Sequence, residues 1–266
     1  MSQKLVAEQY KTPDNLDARA QLHARFSRST IPWHRWIFDR IDPHILADGR
    51  VLALGCGPGG FWQQNRDRVP ARAQLLLTDF SPGMMASARA QLANLACIPM
   101  FAVVDAQAIP FVSTHFDAAT AHHMLYHVPD RAKTLWEIRR VLAPRGTLYA
   151  STVGKAHMRE LWELVEPFAP GTIASARQVT RGFTLENGAA QLAPLFDEVH
   201  VHHYEDGLVV PEAAPLITYV RSSLTMLTHT TFDAESLAAF SEEIERRIAT
   251  DGPLRITKAS GLFVAR

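Results

Sequence analysis

The stretch Val51-Leu52-Ala53-Leu54-Gly55-Cys56-Gly57-Pro58-Gly59-Gly60 joins an apolar run of strand length to a turn with glycine at every second position. The run reads as a buried strand. Glycine in the turn removes side chains where backbone must approach a ligand closely, and it permits backbone angles closed to other residues. Strand-to-helix turns without a ligand also select glycine, so the turn needs a partner before it means anything. Leu75-Leu76-Leu77-Thr78-Asp79 supplies one. It reads as a second short apolar strand ending in a carboxylate about 20 residues after the glycines, the spacing at which a neighbouring parallel strand presents an acid to ribose hydroxyls. The two segments together point to a ligand that carries a ribose.

Working outward, residues 51–149 alternate strand and helix patterns. Strands are expected over 51–54, 74–78, about 100–104, 116–121 and 146–151, with the clearest helices over 82–93 and 130–142. Such alternation implies a parallel sheet covered by helices on both faces, with its ligand at the carboxyl ends of the strands near the topological switch point. Every motif singled out falls at such an end. Ser81 is placed to cap a helix that starts at Pro82.

Two kinds of nucleoside cofactor suit this arrangement, and glycine spacing separates them. A dinucleotide fingerprint needs G-x-G-x-x-G, whereas the order here is G-x-G-x-G. With Asp79 and the later Val103-Val104-Asp105-Ala106, residues 45–150 resemble the class I S-adenosylmethionine-dependent methyltransferases, especially the small-molecule branch that includes the ubiquinone and menaquinone biosynthesis enzymes. The resemblance implies a Rossmann-like, doubly wound α/β fold. Its sheet would have seven mainly parallel strands and an antiparallel last strand, with a helical amino-terminal lid and a cap insertion. It implies S-adenosylmethionine as cofactor, held at the turn Gly55-Cys56-Gly57, with Asp79 on the ribose and Phe80 and Met84 offering apolar faces to adenine. By the same resemblance Asp105 and the Ala106 amide read the adenine ring, and His122 gives its backbone to the methionine part. The family usually places Asp or Glu two residues before the first glycine, where this chain has Ala53.

The fourth strand runs into His122-His123-Met124-Leu125-Tyr126-His127-Val128-Pro129-Asp130, which by resemblance faces the transferable methyl. Histidine titrates near neutrality, so His123 and His127 are candidate bases for a proton leaving the acceptor. The alternative for His127 is a structural contact near the cofactor. Tyr10, Trp33 and Tyr126 are candidates for the acceptor pocket, as are His23 and Arg28 in the lid; the aromatics near Trp33 read equally well as packing on a sheet edge. His123 and His127 stand four apart, which is zinc-ligand spacing, but no carboxylate completes H-E-x-x-H and neither cysteine has a C-x-x-C partner, so no metal is expected. His200, His202 and His203 lie in an alternating segment and read as the solvated face of an outer strand.

Length and charge agree with this reading. The 266 residues carry 27 basic and 27 acidic side chains, a balance that provides no field for nucleic acid or an anionic membrane. The expected partner is a small-molecule methyl acceptor, with no nucleic acid and no membrane, and a homodimer is left open. Two cysteines make no disulfide framework, and a cytoplasmic, reduced setting is expected. One domain is expected, with a helical lid over 1–44, a cofactor core over 45–151, a cap over 152–195 and the last strands and helices over 196–266. A non-catalytic binder of the cofactor and a nucleic-acid methyltransferase are the competing readings.

Overall fold

The computed structural model describes residues 14–224 and 233–266. At its centre is β1 (Arg50–Leu54), a strand with apolar side chains on both faces: Val51 and Ala53 enter one core, Leu52 and Leu54 the other. The neighbours β2 (Gln74–Asp79), β4 (Phe116–His122) and β5 (Leu142–Val153) repeat the alternation. Leu75 and Leu77 oppose Leu76, Ala118 opposes Ala119, and Tyr149 opposes Leu148 and Ala150. With β3 (Met100–Val103), β6 (Val199–Val210) and β7 (Leu254–Ala265), the sheet has the order β3-β2-β1-β4-β5-β7-β6. Strands β1 to β5 pair in parallel, and β7 runs antiparallel to both β5 and β6. The order reverses between β1 and β4, which puts a crevice at the carboxyl tips of those two strands.

Helices α1 (Asp14–Phe26), α2 (Trp33–Phe38) and α3 (Pro43–Asp48) precede β1, and α4 (Gly60–Gln64) and α5 (Pro82–Gln91) flank β2. Helix α6 (Arg131–Val141) leads into β5, while α7 (Arg159–Val165), α8 (Thr172–Thr180) and α9 (Gly188–Leu192) fill the segment before β6. Helices α10 (Ala213–Leu224) and α11 (Ala234–Asp251) lie between β6 and β7. Side chains whose oxygens satisfy the first free N–H groups set several of these starts. Ser81 Oγ accepts from Met84 N at 3.3 Å, as expected for α5, and Asp130 Oδ1 accepts from Lys133 N at 3.0 Å for α6. A third core, built from Leu22, Leu161, Val165, Leu216, Val220, Phe240 and Ile244, joins α1, α7, α10 and α11 into a roof beside the sheet.

Strands β6 and β7 run 12 residues each, within the span 196–266 expected to hold the last strands. Their outer halves pair with each other, Asp206 opposite Lys258, so their apolar alternation is interrupted by charges that face one another. That ion pair is buried. Burial alone would raise the Asp206 carboxyl, but hydrogen bonds from Lys258 and Ser27 outweigh it and hold the group below its ordinary range. Asp206 also accepts from Ser27 Oγ at 2.5 Å and from the Arg28 and Ser29 amides at 3.0 Å, and Tyr204 Oη donates to Ile31 O at 2.6 Å. The loop after α1 is thereby clamped to the sheet. Arg28, expected in a pocket wall, is exposed instead, because its backbone is the part that bonds β6. Tyr204→Phe is expected to remove one buried hydrogen bond, lowering stability by about 1 kcal/mol. Differential scanning calorimetry should then show a Tm drop of about 2–4 °C.

Candidate functional site

The turn after β1 holds Gly55 at φ 61°, in the left-handed region that side chains disfavour. A Cβ there would sit 2.8 Å from Met124 Cβ, so glycine is required both for the backbone angle and for space. The turn is tied to the next strand: Cys56 N donates to Thr78 O at 2.9 Å, and Gly57 N donates to Asp79 Oδ2 at 2.9 Å. Asp79 Oδ1 accepts from Ser81 N at 2.9 Å. Burial raises the Asp79 carboxyl above its usual range, against the pull of the Ser81 and Gly57 amides. Beyond β3, Asp105 Oδ1 accepts from Gln107 N at 2.9 Å and from Gln107 Nε2 at 3.0 Å. Gln107 Oε1 in turn accepts from Asp130 N at 3.0 Å, which anchors this loop to the start of α6. Both carboxylates are therefore oriented by local backbone, with lone pairs left over.

These tips open into one cavity of about 1370 Å³. Gly55, Cys56, Gly57, Asp79, Asp105 and Ala106 line one end, with Phe80 half exposed at the rim and Met84 buried in the floor. His122, His123, Tyr126, His127 and Trp33 line its continuation, beneath α1 and α8. Thus the described candidates from Trp33 to His127, spread over 95 positions, meet in a single space together with His23, while Arg28 lies outside it. Tyr10 lies outside the described residues. Burial and the Asp79 charge push the Cys56 thiol up, so it stays a protonated thiol at neutral pH and is no nucleophile.

Aromatic and imidazole rings dominate the continuation. Trp33 lies 5.5 Å from the His123 ring and 5.0 Å from Tyr204. His23 of α1 lies 6.0 Å from His157 and 5.6 Å from Tyr219. His123 has φ 51°, a strained angle for a residue with a side chain, and its amide donates to Ser151 O at 3.0 Å. The rings are partly exposed and line the cavity. Burial, reinforced by neighbouring cationic or imidazole groups, pushes His122 and His127 down to about 3 and His123 to about 4. The rings are neutral near pH 7, so the wall can donate and accept hydrogen bonds without carrying positive charge.

Sequence reasoning missed His34, His157, Trp162, Tyr219 and Lys258, which also line this space. His157 sits between β5 and α7 in a segment without periodicity, and Lys258 lies in the part of β7 that reads as too polar for a strand. Only the doubled histidines after β4 carried a local signal.

Residues 52–150 match the family described as "Methyltransferase domain". The matched segment contains the glycine turn, Asp79, Asp105 and the tip of β4. These residues form a class I methyltransferase domain. A methyltransferase domain of this kind implies S-adenosylmethionine as its cofactor. Over 115 residues, 43% of this chain and 52% of the relative, the sequence is 36% identical to the demethylmenaquinone methyltransferase of Thermus thermophilus. It is 28% identical to the 27-O-demethylrifamycin SV methyltransferase of Amycolatopsis mediterranei, over 68% of this chain and 61% of that one. The chain spans about half the length of most curated relatives it matches. Phosphoethanolamine N-methyltransferase 2 of Haemonchus contortus shares the fold, with a TM-score of 0.58 at 20% identity over 96% of this chain and 57% of that chain.

The methyltransferase core fits such a group on its own chemistry. It has a backbone cradle that a Cβ would fill at Gly55, two oriented carboxylates, and buried imidazole nitrogens of His122 that have no protein partner.

Proposed function

We propose that this chain transfers a methyl group from S-adenosylmethionine to an oxygen, nitrogen or activated carbon of a small-molecule acceptor. One observation carries the reading: the glycine turn, Asp79 and Asp105 occupy neighbouring strand tips that open on the same cavity as Trp33, Tyr126 and the imidazoles. Asp79 would accept hydrogen bonds from the ribose hydroxyls while the Gly57 and Ser81 amides hold its carboxylate in place. Asp105 and the Ala106 amide would read adenine, with Phe80 and Met84 against its faces. Trp33, Tyr126 and the histidines would bound the acceptor, with the described residues up to 44 as lid and those over 152–195 as cap.

When bound, the cofactor supplies an electrophilic methyl on a positively charged sulfonium. The chain's part is to bring acceptor and methyl donor together and to exclude water, which makes a bimolecular step effectively unimolecular. Neutral imidazoles suit a cationic donor, since charged ones would repel it. His123 would orient the acceptor through a hydrogen bond, and its lowered basicity leaves it a weak proton acceptor. The enclosure of the cavity beneath α1 and the small-molecule names of the two relatives support a small acceptor over a macromolecule.

The test is calorimetric titration with S-adenosylhomocysteine, followed by methyl uptake assays on phenols, quinols and amines. Absence of heat would overturn the cofactor assignment for this chain. Binding without uptake by any acceptor class would favour a non-catalytic binder. His123→Asn is expected to lower kcat/KM about tenfold, less than the 10²–10⁴ typical of a true general base. The wild-type kcat should be flat from about pH 6 to 8, because a ring depressed to about 4 is already neutral there. An inflection near pH 7 that vanishes in the variant would assign His123 the base role instead.

A further inference from the structure

The cofactor would bring a positive sulfonium into a cavity whose wall already carries cations. Among the described residues Arg19, Lys155, Arg159, Arg177, Arg181 and Lys258 line it. The acids that line it are Asp79, Asp105 and Glu163, and the first two stand at the nucleoside end. Over the whole chain 27 basic residues balance 27 acidic ones, so the excess is local to this cavity.

Three of the cations are answered by acids. Lys258 pairs with Asp206, Arg159 Nη2 lies 3.0 Å from Glu160 Oε1, and Lys155 faces the charge of Glu186. Glu163 Oε1 is 3.9 Å from Arg159 Nε, so it too is turned toward that guanidinium. Arg177 and Arg181 are exposed, and neither guanidinium has an ion-pair or hydrogen-bond partner among the described residues. They follow Ile173 at four-residue spacing along α8 and its C-cap, and all three border the cavity, so one ridge of this helix runs from apolar to charged along the wall. Arginine at a helix carboxyl end complements the helix dipole, but that role does not require it to face a cavity.

Helix α8 packs against the turn Leu125–His127, which places these arginines at the rim of the acceptor end. Arg19 of α1 lines the same end, where its charge reaches the rings of His127 and Tyr219. Deeper in, Trp33, Tyr126, Trp162 and Tyr219 supply aromatic faces among neutral imidazoles, a wall suited to a flat apolar body. Unanswered guanidiniums beside a sulfonium are unfavourable unless the second occupant is negative.

We propose that the methyl acceptor is an anionic aromatic small molecule, its ring among the aromatic side chains and its carboxylate or phosphate held at the rim by Arg177 and Arg181. The inference rests on the methyl-transfer reading above and names the class of acceptor. Arginine suits the task because its planar fork meets either anion with two parallel hydrogen bonds.

The experiment titrates three matched probes, 2-naphthoate, 2-naphthyl phosphate and the neutral 2-naphthamide, into protein saturated with S-adenosylhomocysteine. At least one anion should bind about tenfold more tightly than the amide, a preference that shrinks as salt is raised, and the tighter anion identifies the group. An Arg177→Gln, Arg181→Gln double variant should bring the three probes to within about twofold of one another and leave S-adenosylhomocysteine within about twofold of wild type, since its site is on other elements. Arg177→Lys with Arg181→Lys, which keeps the charge and loses the fork, should retain part of the preference. An amide that binds as tightly as both anions, a preference that survives in the glutamine variant, or the absence of binding by either anion would overturn the proposal. Loss of S-adenosylhomocysteine binding in the glutamine variant would make the arginines structural and overturn it as well. If wild-type protein gives no heat with S-adenosylhomocysteine, the cofactor reading itself has failed, an outcome distinct from a protein that binds it and then prefers the amide.

Discussion

Asp79→Asn is expected to weaken S-adenosylhomocysteine binding by about a hundredfold or more. The carboxylate accepts from Gly57 N and Ser81 N, each at 2.9 Å, and keeps lone pairs directed at the cavity. Hydrogen bonds to a charged acceptor are each worth about 1.5–3 kcal/mol, and a ribose offers two hydroxyls to this one group, so about 3 kcal/mol or more is at stake. Asparagine presents one acceptor and one donor, and its NH₂ would face either an amide N–H or a ribose hydroxyl that needs an acceptor. The glycine turn would loosen with it, because the bond from Gly57 to Asp79 ties β1 to β2. Calorimetry gives the affinity, and amide exchange at residues 55–59 reports the turn. An Asp79→Asn protein that binds S-adenosylhomocysteine as tightly as wild type would remove the ribose role.

The second large effect is acid lability. Burial lowers six imidazoles: His23, His122 and His127 to about 3, His34 and His123 to about 4, and His157 well below its ordinary value. In the unfolded chain these rings protonate near 6.5, so between about pH 6.5 and 4 the unfolded state binds protons that the folded state refuses. Stability is therefore fully present above pH 6.5 and is lost as pH falls through that window. Each ring contributes at most about 1.4 kcal/mol per pH unit. Several rings acting together reach the scale of a whole domain's net stability, about 5–15 kcal/mol. Carboxylates held low, such as Asp206 and Glu137, add to the loss only at still lower pH. Urea midpoints measured from pH 7.5 to 5 should fall steeply, and a His23→Gln, His157→Gln double variant should fall less steeply. A midpoint that stays level over that range would show that these rings are solvated in the folded protein.

The central strand and its turn were legible because their signals are local. Four apolar residues followed by alternate glycines, and a carboxylate at the next strand end, can be recognised without knowing where the chain goes afterwards. The same holds for Asp105 after β3 and for the alternation that gives β2, β4 and β5, since period-two burial is written into neighbouring residues. The start of α5 was readable for the same reason, with Ser81 and Pro82 side by side.

Other features depended on partners far away in the chain. Asp206 and Lys258 make the outer halves of β6 and β7 look too polar for strands, and only their pairing shows that each charge answers the other. His157 and His34 gave no sign of sharing a cavity with His122, because α2 and the segment after β5 reach that space through tertiary packing alone. The protonation behaviour of the histidines changed most. Sequence suggests rings that titrate near neutrality, whereas enclosure from several directions removes the water that would stabilise their charged form.

By itself, the order of residues determined a parallel sheet with a nucleoside-sized notch at its switch point, since turn geometry and strand alternation are properties of short segments. Only the folded chain decided how deep that notch is, which rings wall it and in what protonation state they stand, because burial is the sum of contacts from elements that are distant in sequence.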